Sequence, residues 1–226
     1  LGIVHKDSPD GRGIDVALMY PKSSITILKE HYVESKLPSG SRPDTRLSMI
    51  VEALYEKDTL IIGVNHWPSR YGGQEESEPN RLTVAYNVSK KLDELQAKLP
   101  AASVILMGDF NDYPNNKSMR SILGAGKEAD SKYVNLMWDM SKSGIGTYNY
   151  KGDWGCLDQF VVSPNLVDGS GPWVVSPTDV VIPRYEWMMY TNDKGEVYPN
   201  RTYGGPNYYG GYSDHLPIDL VFRKKK

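Results

Sequence analysis

One stretch decides the fold of this chain: Ser103-Val104-Ile105-Leu106-Met107-Gly108-Asp109-Phe110-Asn111. Its first half is a short apolar run, which is typical of a strand buried inside a sheet. Its second half begins with glycine and places a carboxylate and an amide at alternate positions, so both side chains project to the same side. Strand ends hold polar side chains rigidly at the rim of a sheet, where a functional site is well supported.

Other strands are predicted around this one. Arg46–Tyr55 and Thr59–His66 flank the charged turn Glu56-Lys57-Asp58, a pattern that predicts a hairpin. Within its second arm, Leu60–Val64 is apolar on both faces and is predicted to lie in the middle of a sheet. The segment from 169 to 211 is rich in Gly, Pro, Tyr and Trp and is predicted to be irregular. Further strands are predicted at Gly13–Tyr20, Ser24–Val33, Tyr148, Leu157–Val162 and Leu216–Phe222.

One long helix is predicted between the strands. Apolar residues recur at steps of three and four, as on one face of a helix. Asn80 is the predicted N-cap, and Pro100 stops the helix. A weaker helical pattern covers Lys117–Leu123. The apolar positions of the long helix are Leu82, Ala85, Val88, Leu92, Leu95 and Leu99.

The order of these elements predicts the fold class. Antiparallel strands, a helix, a buried strand and further hairpins favour an α+β fold. We expect a two-layer β-sandwich of mainly antiparallel sheets flanked by helices. The chain has 226 residues, shows no internal repeat and contains no long linker, so residues 1–226 are expected to form a single domain.

Composition narrows the function classes. The net charge of −2 indicates no general attraction to nucleic acid, although a local basic cleft or a bound metal could supply it. Cys156 is the only cysteine, so an intrachain disulfide is excluded and a cysteine-based zinc site is disfavoured. No apolar run approaches the ~20 residues of a membrane-spanning helix, and no membrane span is predicted.

Two strand ends offer acid, amide and imidazole groups. Asp109 can accept a proton from water or ligate magnesium, and Asn111 can orient the same water. The alternative is an Asx turn, where Asp and Asn are favoured for structural reasons. Asp214 and His215 place a hard metal ligand beside a donor for a phosphoryl oxygen. Their alternative is a polar strand entry with an exposed histidine.

Two further residues complete the candidate set. Asp158 lies inside the apolar run Leu157–Val162, so it needs a partner when buried. Histidine is the natural one, with the backbone or an arginine as alternatives. His66 ends a strand, and the following Ser69 and Arg70 offer a hydroxyl and a guanidinium suited to phosphate. A structural histidine packed beside tryptophan is the alternative.

The joint order of these segments resembles the endonuclease/exonuclease/phosphatase family, which has the fold of deoxyribonuclease I. The resemblance covers nearly the whole chain, and the combination of motifs is far more specific than any one of them. Gly108–Asn111 matches the most diagnostic family segment. The other similar segments are Gly13–Tyr20, Asn65–Arg70, Leu157–Phe160 and Ser213–Pro217.

The resemblance implies roles for the catalytic candidates. By it, Asp109 orients or deprotonates the attacking water, and Asn111 helps to hold that water. His215 binds the scissile phosphate with the support of Asp158. His66 assists the phosphate or the leaving group.

The resemblance also implies ligand-binding residues. Asp214, with Asp109 and Asn111, is expected to bind Mg²⁺, with Mn²⁺ and Ca²⁺ as alternative ions. The residues expected to bind the phosphate-ester substrate are Asn65, Ser69 and Arg70.

The chain departs from the family pattern at its start. The family's asparagine strand and its strand with a metal-binding glutamate both precede the part that Gly13–Tyr20 resembles. Nothing before Gly13 resembles them, and Glu30, Glu34, Glu52 and Glu56 all follow. We therefore expect a domain that is incomplete at its N-terminus and by itself binds metal weakly and has little activity.

Within this family, a nuclease-like phosphodiesterase is favoured, with nucleic acid as a possible partner. The segment His66–Arg70 is more similar to bacterial nuclease-like members than to inositol phosphatases. The alternatives are a phosphomonoesterase, including a phospholipid or sugar-phosphate phosphatase, and a non-catalytic binding module that uses the aromatic residues between Trp173 and Tyr212.

Overall fold

The computed structural model describes residues 1–38, 44–128 and 130–225. The α-helices in these ranges are α1 (Gln74–Lys98) and α2 (Trp138–Lys142). Shorter helical turns are Ser118–Leu123, Pro164–Leu166, Pro177–Asp179 and Glu186–Met188. The strands are β1 (Gly2–His5), β2 (Ala17–Tyr20), β3 (Ile25–Val33), β4 (Ser48–Tyr55), β5 (Asp58–His66), β6 (Ser103–Asp109), β7 (Ala125–Gly126), β8 (Tyr133–Asn135), β9 (Tyr148–Tyr150), β10 (Asp153–Gly155), β11 (Asp158–Val162), β12 (Trp173–Val174), β13 (Val180–Val181), β14 (Met189–Thr191), β15 (Val197–Pro199), β16 (Tyr203–Gly204), β17 (Asn207–Tyr208), β18 (Asp219–Leu220) and β19 (Arg223–Lys224).

Seven strands of the described chain form the central sheet, in the order β3-β4-β5-β6-β11-β8-β7. All neighbours are antiparallel except β5 with β6 and β7 with β8. The predicted hairpin of β4 and β5 is confirmed, and Glu56 adopts a positive φ of 54° in its turn. The long apolar strands lie in the middle of the sheet because they are covered on both faces.

One face of the sheet is covered by α1. Four of the six predicted apolar positions are buried, Ala85, Val88, Leu92 and Leu95, and the other two, Leu82 and Leu99, are half-buried. The helix nevertheless begins at Gln74, so the prediction that Asn80 is the N-cap was wrong. The first turns are polar, and Arg81 Nη2 donates to Gln74 O and Gln74 Oε1, at 3.1 and 3.0 Å. Apolar periodicity cannot reveal turns that polar contacts of this kind stabilise.

The other face is covered by a second layer of paired short strands. These are β1 with β2, β12 with β19 and β13 with β18, and each pair is antiparallel. The mixed α+β class is therefore confirmed, with a second layer built from short pairs. Side chains of both layers meet in one core, whose second-layer members include Val4, Leu18, Trp173 and Val180.

Several predicted strands are shorter than the sequence pattern indicated. Only Ala17–Tyr20 of the predicted segment Gly13–Tyr20 is a strand, and it pairs with Gly2–His5, which was not predicted. Only Asp219–Leu220 of the segment Leu216–Phe222 is a strand. Proline at 217 cannot donate a ladder hydrogen bond, which explains the late start. Among the described residues, no helix is both long enough and apolar enough to cross a membrane.

Candidate active site

The sheet itself brings three predicted side chains together. His66 on β5 lies opposite Asp109 on β6, and Asp109 lies opposite Asp158 on β11. Directly opposed residues project to the same face of a sheet. This face points toward the second layer. Leu60 and Ile62 lie at every second position of β5 and so share the face of His66, and both belong to the core between the layers.

Gly108 permits this close arrangement. Its φ is 119°, a conformation that L side chains rarely adopt. A Cβ atom at this position would lie 2.1 Å from the backbone oxygen of Asn65 on β5. Only glycine therefore allows β6 to reach Asp109 while it stays paired with β5.

The fourth side chain, His215, lies on the segment before β18 and forms an isolated β-bridge with Tyr148. Its Nδ1 lies 2.6 Å from Asp158 Oδ2, so the predicted hydrogen bond is present. Thr147 Oγ1 donates to the same carboxylate oxygen at 2.6 Å. The ring of Tyr148 lies 4.8 Å from the imidazole of His215. These contacts fix the orientation of the imidazole.

Asn111 holds the carboxylate of Asp109. Its backbone N–H donates to Asp109 Oδ1 at 2.7 Å, and its Nδ2 donates to Asp109 Oδ2 at 2.8 Å. The same Nδ2 donates to the carbonyl of Trp67 at 2.9 Å. The φ of Asn111 is 51°, which asparagine tolerates better than most residues. His66 Nε2 lies 3.5 Å from Asp109 Oδ2.

The charges of these groups depend on their surroundings. Burial, and then the charge of Asp158, raises the pKa of Asp109 to about 7. Burial alone would lower the pKa of His215, but the hydrogen bond and charge of Asp158 outweigh it and raise that pKa to about 9. Burial, and then Arg46, lowers the pKa of His66 to about 4. At neutral pH the site thus pairs a protonated His215 with a neutral His66.

The site fits a divalent cation in its charge and its donors. Ligand atoms of Asp109, Asp158 and His215 all lie within 4.8 Å of one another. Burial, and then the negative charge of Asp158, raises the pKa of Asp109, and a cation would offset that charge. Hydrogen bonds reach one oxygen of Asp158 and both oxygens of Asp109. Carboxylate and amide oxygens are the donors that such an ion prefers, so Asp109, Asp158 and Asn111 would supply them.

Asp214 does not join this group. Its carboxylate is half exposed and lies 2.7 Å from Arg201 Nη2, whereas the predicted site needs it beside Asp109. The chain turns between Asp214 and His215, so the side chains of neighbouring residues have different partners. Arg201, which the sequence pattern did not single out, competes for this carboxylate.

The three predicted substrate-binding residues lie near the site with other contacts. Asn65 is buried, and its Oδ1 accepts from Trp67 Nε1 at 3.0 Å. Ser69 is exposed, and its backbone oxygen accepts from Arg81. Arg70 Nε donates to Asn111 O at 3.0 Å, and its Nη2 donates to Asn116 Oδ1 at 2.7 Å. Arg70 thus holds the loop that follows β6.

Sequence reasoning missed the residues that support the site. Arg46 is buried and its Nε donates to the backbone oxygen of His66 at 3.0 Å. Asp112 is fully buried and its Oδ1 lies 2.8 Å from Arg81 Nε on α1. Thr147 is fully buried beside Asp158. Asp112 directly follows Asn111 in the sequence, and this position could have identified it as a residue that supports the site. Nothing in the local sequence identifies Arg46 or Thr147.

Comparisons with known proteins agree on one fold. The model that describes the "Endonuclease/Exonuclease/phosphatase family" matches residues 1–224. The human Nocturnin catalytic domain with bound sulfate covers 99% of this chain and 72% of its own, at 14% identity and a TM-score of 0.59. The mannosyl-6-phosphatase Bt3783 of Bacteroides thetaiotaomicron covers 98% and 77%, at 14% identity and a TM-score of 0.61.

A third solved structure, the humanized TDP2 of D. rerio, covers 92% of this chain and 69% of its own, at 17% identity and a TM-score of 0.55. Among curated protein sequences, none matches this chain significantly. At these identities the structural similarity concerns the fold alone.

Proposed function

This chain belongs to the endonuclease/exonuclease/phosphatase family, whose members are hydrolases of phosphate esters, and on this basis we propose that it is a metal-dependent phosphodiesterase. The observation that carries the proposal is the shared site of Asp109, His66 and the hydrogen-bonded pair Asp158 and His215. A non-catalytic binding module has no need for this convergence of acid and imidazole groups at one sheet rim.

In the proposed mechanism, Asp109 accepts a proton from the attacking water. Its carboxylate can act as the general base, and Asn111 keeps that carboxylate in one orientation. The water oxygen attacks phosphorus in line with the leaving oxygen, the ester P–O bond breaks, and the leaving oxygen takes up a proton from solvent water. A cation held by Asp109, Asp158 and Asn111 would offset the negative charge of the phosphate.

The imidazoles have different tasks in this proposal. His215 is protonated and donates to a phosphate oxygen, and this hydrogen bond strengthens as charge builds up on that oxygen. Asp158 keeps the imidazolium charged and oriented. His66, which is neutral at physiological pH, can donate to the phosphate or the leaving group without adding a second positive charge.

A phosphomonoesterase is the second candidate. The arginines around the site are already engaged: Arg70 with Asn116, and Arg201 with Asp214. These two arginines are therefore not free to bind successive phosphates of a long polyanionic substrate, and a small phosphate ester suits the site better. One neighbour with this fold is a mannosyl-6-phosphatase, and another, the TDP2 of D. rerio, has been crystallised with a single-stranded DNA product.

Hydrolysis of two chromogenic esters tests the proposal. Bis-p-nitrophenyl phosphate reports phosphodiesterase activity and p-nitrophenyl phosphate reports monoesterase activity, each with Mg²⁺ or Mn²⁺ and then with EDTA. We expect slow, metal-dependent release of nitrophenol, in line with the weak metal binding expected from the sequence, and a further loss of about 10²- to 10⁴-fold in Asp109→Asn. Asp193→Asn, a change at an exposed carboxylate, is the matched control. Activity that persists in EDTA or in Asp109→Asn contradicts the proposal.

A further inference from the structure

The loop between β1 and β2 lies against the strand end that carries His66. Arg46 Nη1 donates to Asp10 Oδ2 in this loop at 3.3 Å, and Arg46 Nε donates to the backbone oxygen of His66 at 3.0 Å. The N–H of Leu47, which comes just before β4, donates to Ser8 Oγ in the same loop at 3.0 Å. These contacts place the loop at the edge of the candidate active site, on the side of His66.

Arg12 is the exposed member of a cluster of three charges in this loop. The side chains of Asp10 and Arg46 are each 4% exposed, whereas that of Arg12 is 42% exposed. The carboxylate of Asp10 accepts from both guanidinium groups. Because two cations share one anion, the cluster keeps one positive charge. Arg12 is the member of the cluster that a ligand in solvent can reach.

The guanidinium of Arg12 is held by one of its edges. Its Nε donates to Asp10 Oδ1 at 2.9 Å, and its Nη2 donates to Asp10 Oδ2 at 2.7 Å. The backbone N–H of Arg12 donates to Asp10 Oδ1 at 3.0 Å. Within residues 1–38, 44–128 and 130–225, none accepts a hydrogen bond from Arg12 Nη1. The remaining N–H groups are therefore fixed in direction and available to an anion, which reduces the entropy lost on binding.

The charge of this cluster acts on the candidate active site. Burial is the main reason why the pKa of His66 is lowered, and the charges of Arg46 and, more weakly, Arg12 act in the same direction. Two other arginines near the site serve different contacts, since Arg70 donates to Asn111 O and Arg201 is paired with Asp214. Arg12 is thus the guanidinium that has donors left for an anion on the side of His66.

We infer that Arg12 is a substrate-binding residue, whose Nη1 edge donates to a non-bridging oxygen of the substrate phosphate. The inference rests on the proposed function for the identity of the ligand as a phosphate ester. Hydrogen bonds between guanidinium and phosphate are charge-assisted and strong. A charge at the rim of a site attracts the ligand without taking part in the chemical step. Its attraction grows with the charge of the ligand, so Arg12 should matter more for a phosphomonoester dianion than for a phosphodiester monoanion.

Steady-state kinetics of Arg12→Gln test this role. We expect KM for p-nitrophenyl phosphate to rise about tenfold, because a hydrogen bond between charged groups is lost. KM for bis-p-nitrophenyl phosphate should rise less, and kcat for both esters should stay within about twofold of the unchanged protein. The effect on KM should shrink as NaCl is added, because salt screens the charge. Arg12→Lys keeps the charge without the planar fork and should restore part of the affinity.

Two further variants separate ligand binding from the anchoring of the loop. Arg223→Gln is the matched control, because Arg223 is an exposed arginine paired with the buried Asp179, and its loss changes the net charge equally. This variant should leave KM unchanged. Asp10→Asn removes a negative charge and leaves Arg12, so KM should not rise. If Arg12 only anchored the loop, Arg12→Gln and Asp10→Asn would impair both esters equally, and that result would overturn the inference.

Binding without turnover distinguishes this inference from the proposed function. Inorganic phosphate is titrated into the protein in EDTA, and the ring signals of His66 and His215 report its binding by NMR. If no ester is hydrolysed but Arg12→Gln weakens phosphate binding about tenfold, the role of Arg12 stands and the proposed function fails. If bis-p-nitrophenyl phosphate is hydrolysed and Arg12→Gln changes neither KM nor phosphate binding, the proposed function stands and the role of Arg12 is wrong.

Discussion

At the scale of single residues, the charge of His215 depends on Asp158. The carboxylate raises the imidazole pKa to about 9, whereas burial acts in the opposite direction. A histidine whose folded pKa is raised stabilises the fold fully below its ordinary pKa of about 6.5. That contribution is lost as the pH rises through 9.

Asp158→Asn should therefore lower the pKa of His215, because the hydrogen bond and charge of Asp158 are lost while burial remains. NMR titration of the His215 ring in EDTA measures this change, and turnover at pH 7.5 should fall about 10²-fold or more. Glu52→Gln is the control, because Glu52 Oε1 lies 2.7 Å from His31 Nε2 in a similar pair outside the site. A His215 titration that stays near pH 9 in Asp158→Asn would show that another group holds the charge.

At Gly108 the backbone conformation requires glycine. Gly108→Ala should destabilise the fold by about 2–4 kcal/mol, since both the positive φ and the contact with Asn65 O oppose a Cβ atom. Gly144→Ala is the matched control: its φ is 67°, and nothing lies within 4 Å of a Cβ atom there. Denaturation by urea should show a clearly smaller loss for Gly144→Ala; equal losses would mean that the close approach of β5 to β6 is unimportant.

At the scale of elements, the ion pair of Asp112 and Arg81 joins α1 to the loop that carries Asn111. Both side chains are fully buried, and Asp112 also accepts from Ser118 Oγ at 2.6 Å and Gln74 Nε2 at 3.1 Å. Removal of one partner from a buried pair leaves the other charge unpaired, which costs much more than the loss of a surface pair.

Asp112→Ala should thus lower the free energy of unfolding by about 3–5 kcal/mol. Lys91→Ala, which removes an exposed pair with Glu94 on the same helix, should cost less than about 1 kcal/mol. Chemical denaturation of both variants measures the difference. Similar costs for the two variants would contradict the buried network as the anchor of this loop.

At the scale of the whole molecule, Asp10 connects the second layer to the central sheet. It lies in the loop between β1 and β2 and accepts from Arg12 Nε at 2.9 Å and Arg46 Nη1 at 3.3 Å. Arg46 in turn donates to the backbone oxygen of His66 at the end of β5. The hydrogen bond from Arg12, and then that from Arg46, keeps the pKa of Asp10 well below its usual range.

A lowered carboxylate pKa stabilises the fold above the ordinary value of about 4, and this contribution is lost as the pH falls through the folded-state pKa. Asp10→Asn should cost on the order of 2 kcal/mol at pH 7, and the difference from the unchanged protein should shrink on acidification. Urea denaturation between pH 7 and pH 3 measures both values. A difference that does not vary with pH would contradict a charged Asp10 as the link between the layers.

Much of the scaffold could be predicted from the sequence because it depends on local periodicity. The apolar runs at Leu60–Val64 and Val104–Met107 predict central strands, and the stripe from Ala85 to Leu95 predicts a buried helix face. Elements held by polar or non-local contacts were missed or misplaced: the start of α1 at Gln74 depends on Arg81, and β1 was not predicted.

For the site, the sequence by itself determined which segments carry acid and imidazole groups, including Asp109, Asp158 and His215. Only the tertiary structure decided which of them meet. It paired Asp158 with His215 across a long chain separation, engaged Asp214 with Arg201, and placed Arg70 against the loop of Asn111. The physical reason is that periodicity encodes burial, whereas the partner of a polar group depends on how distant segments pack.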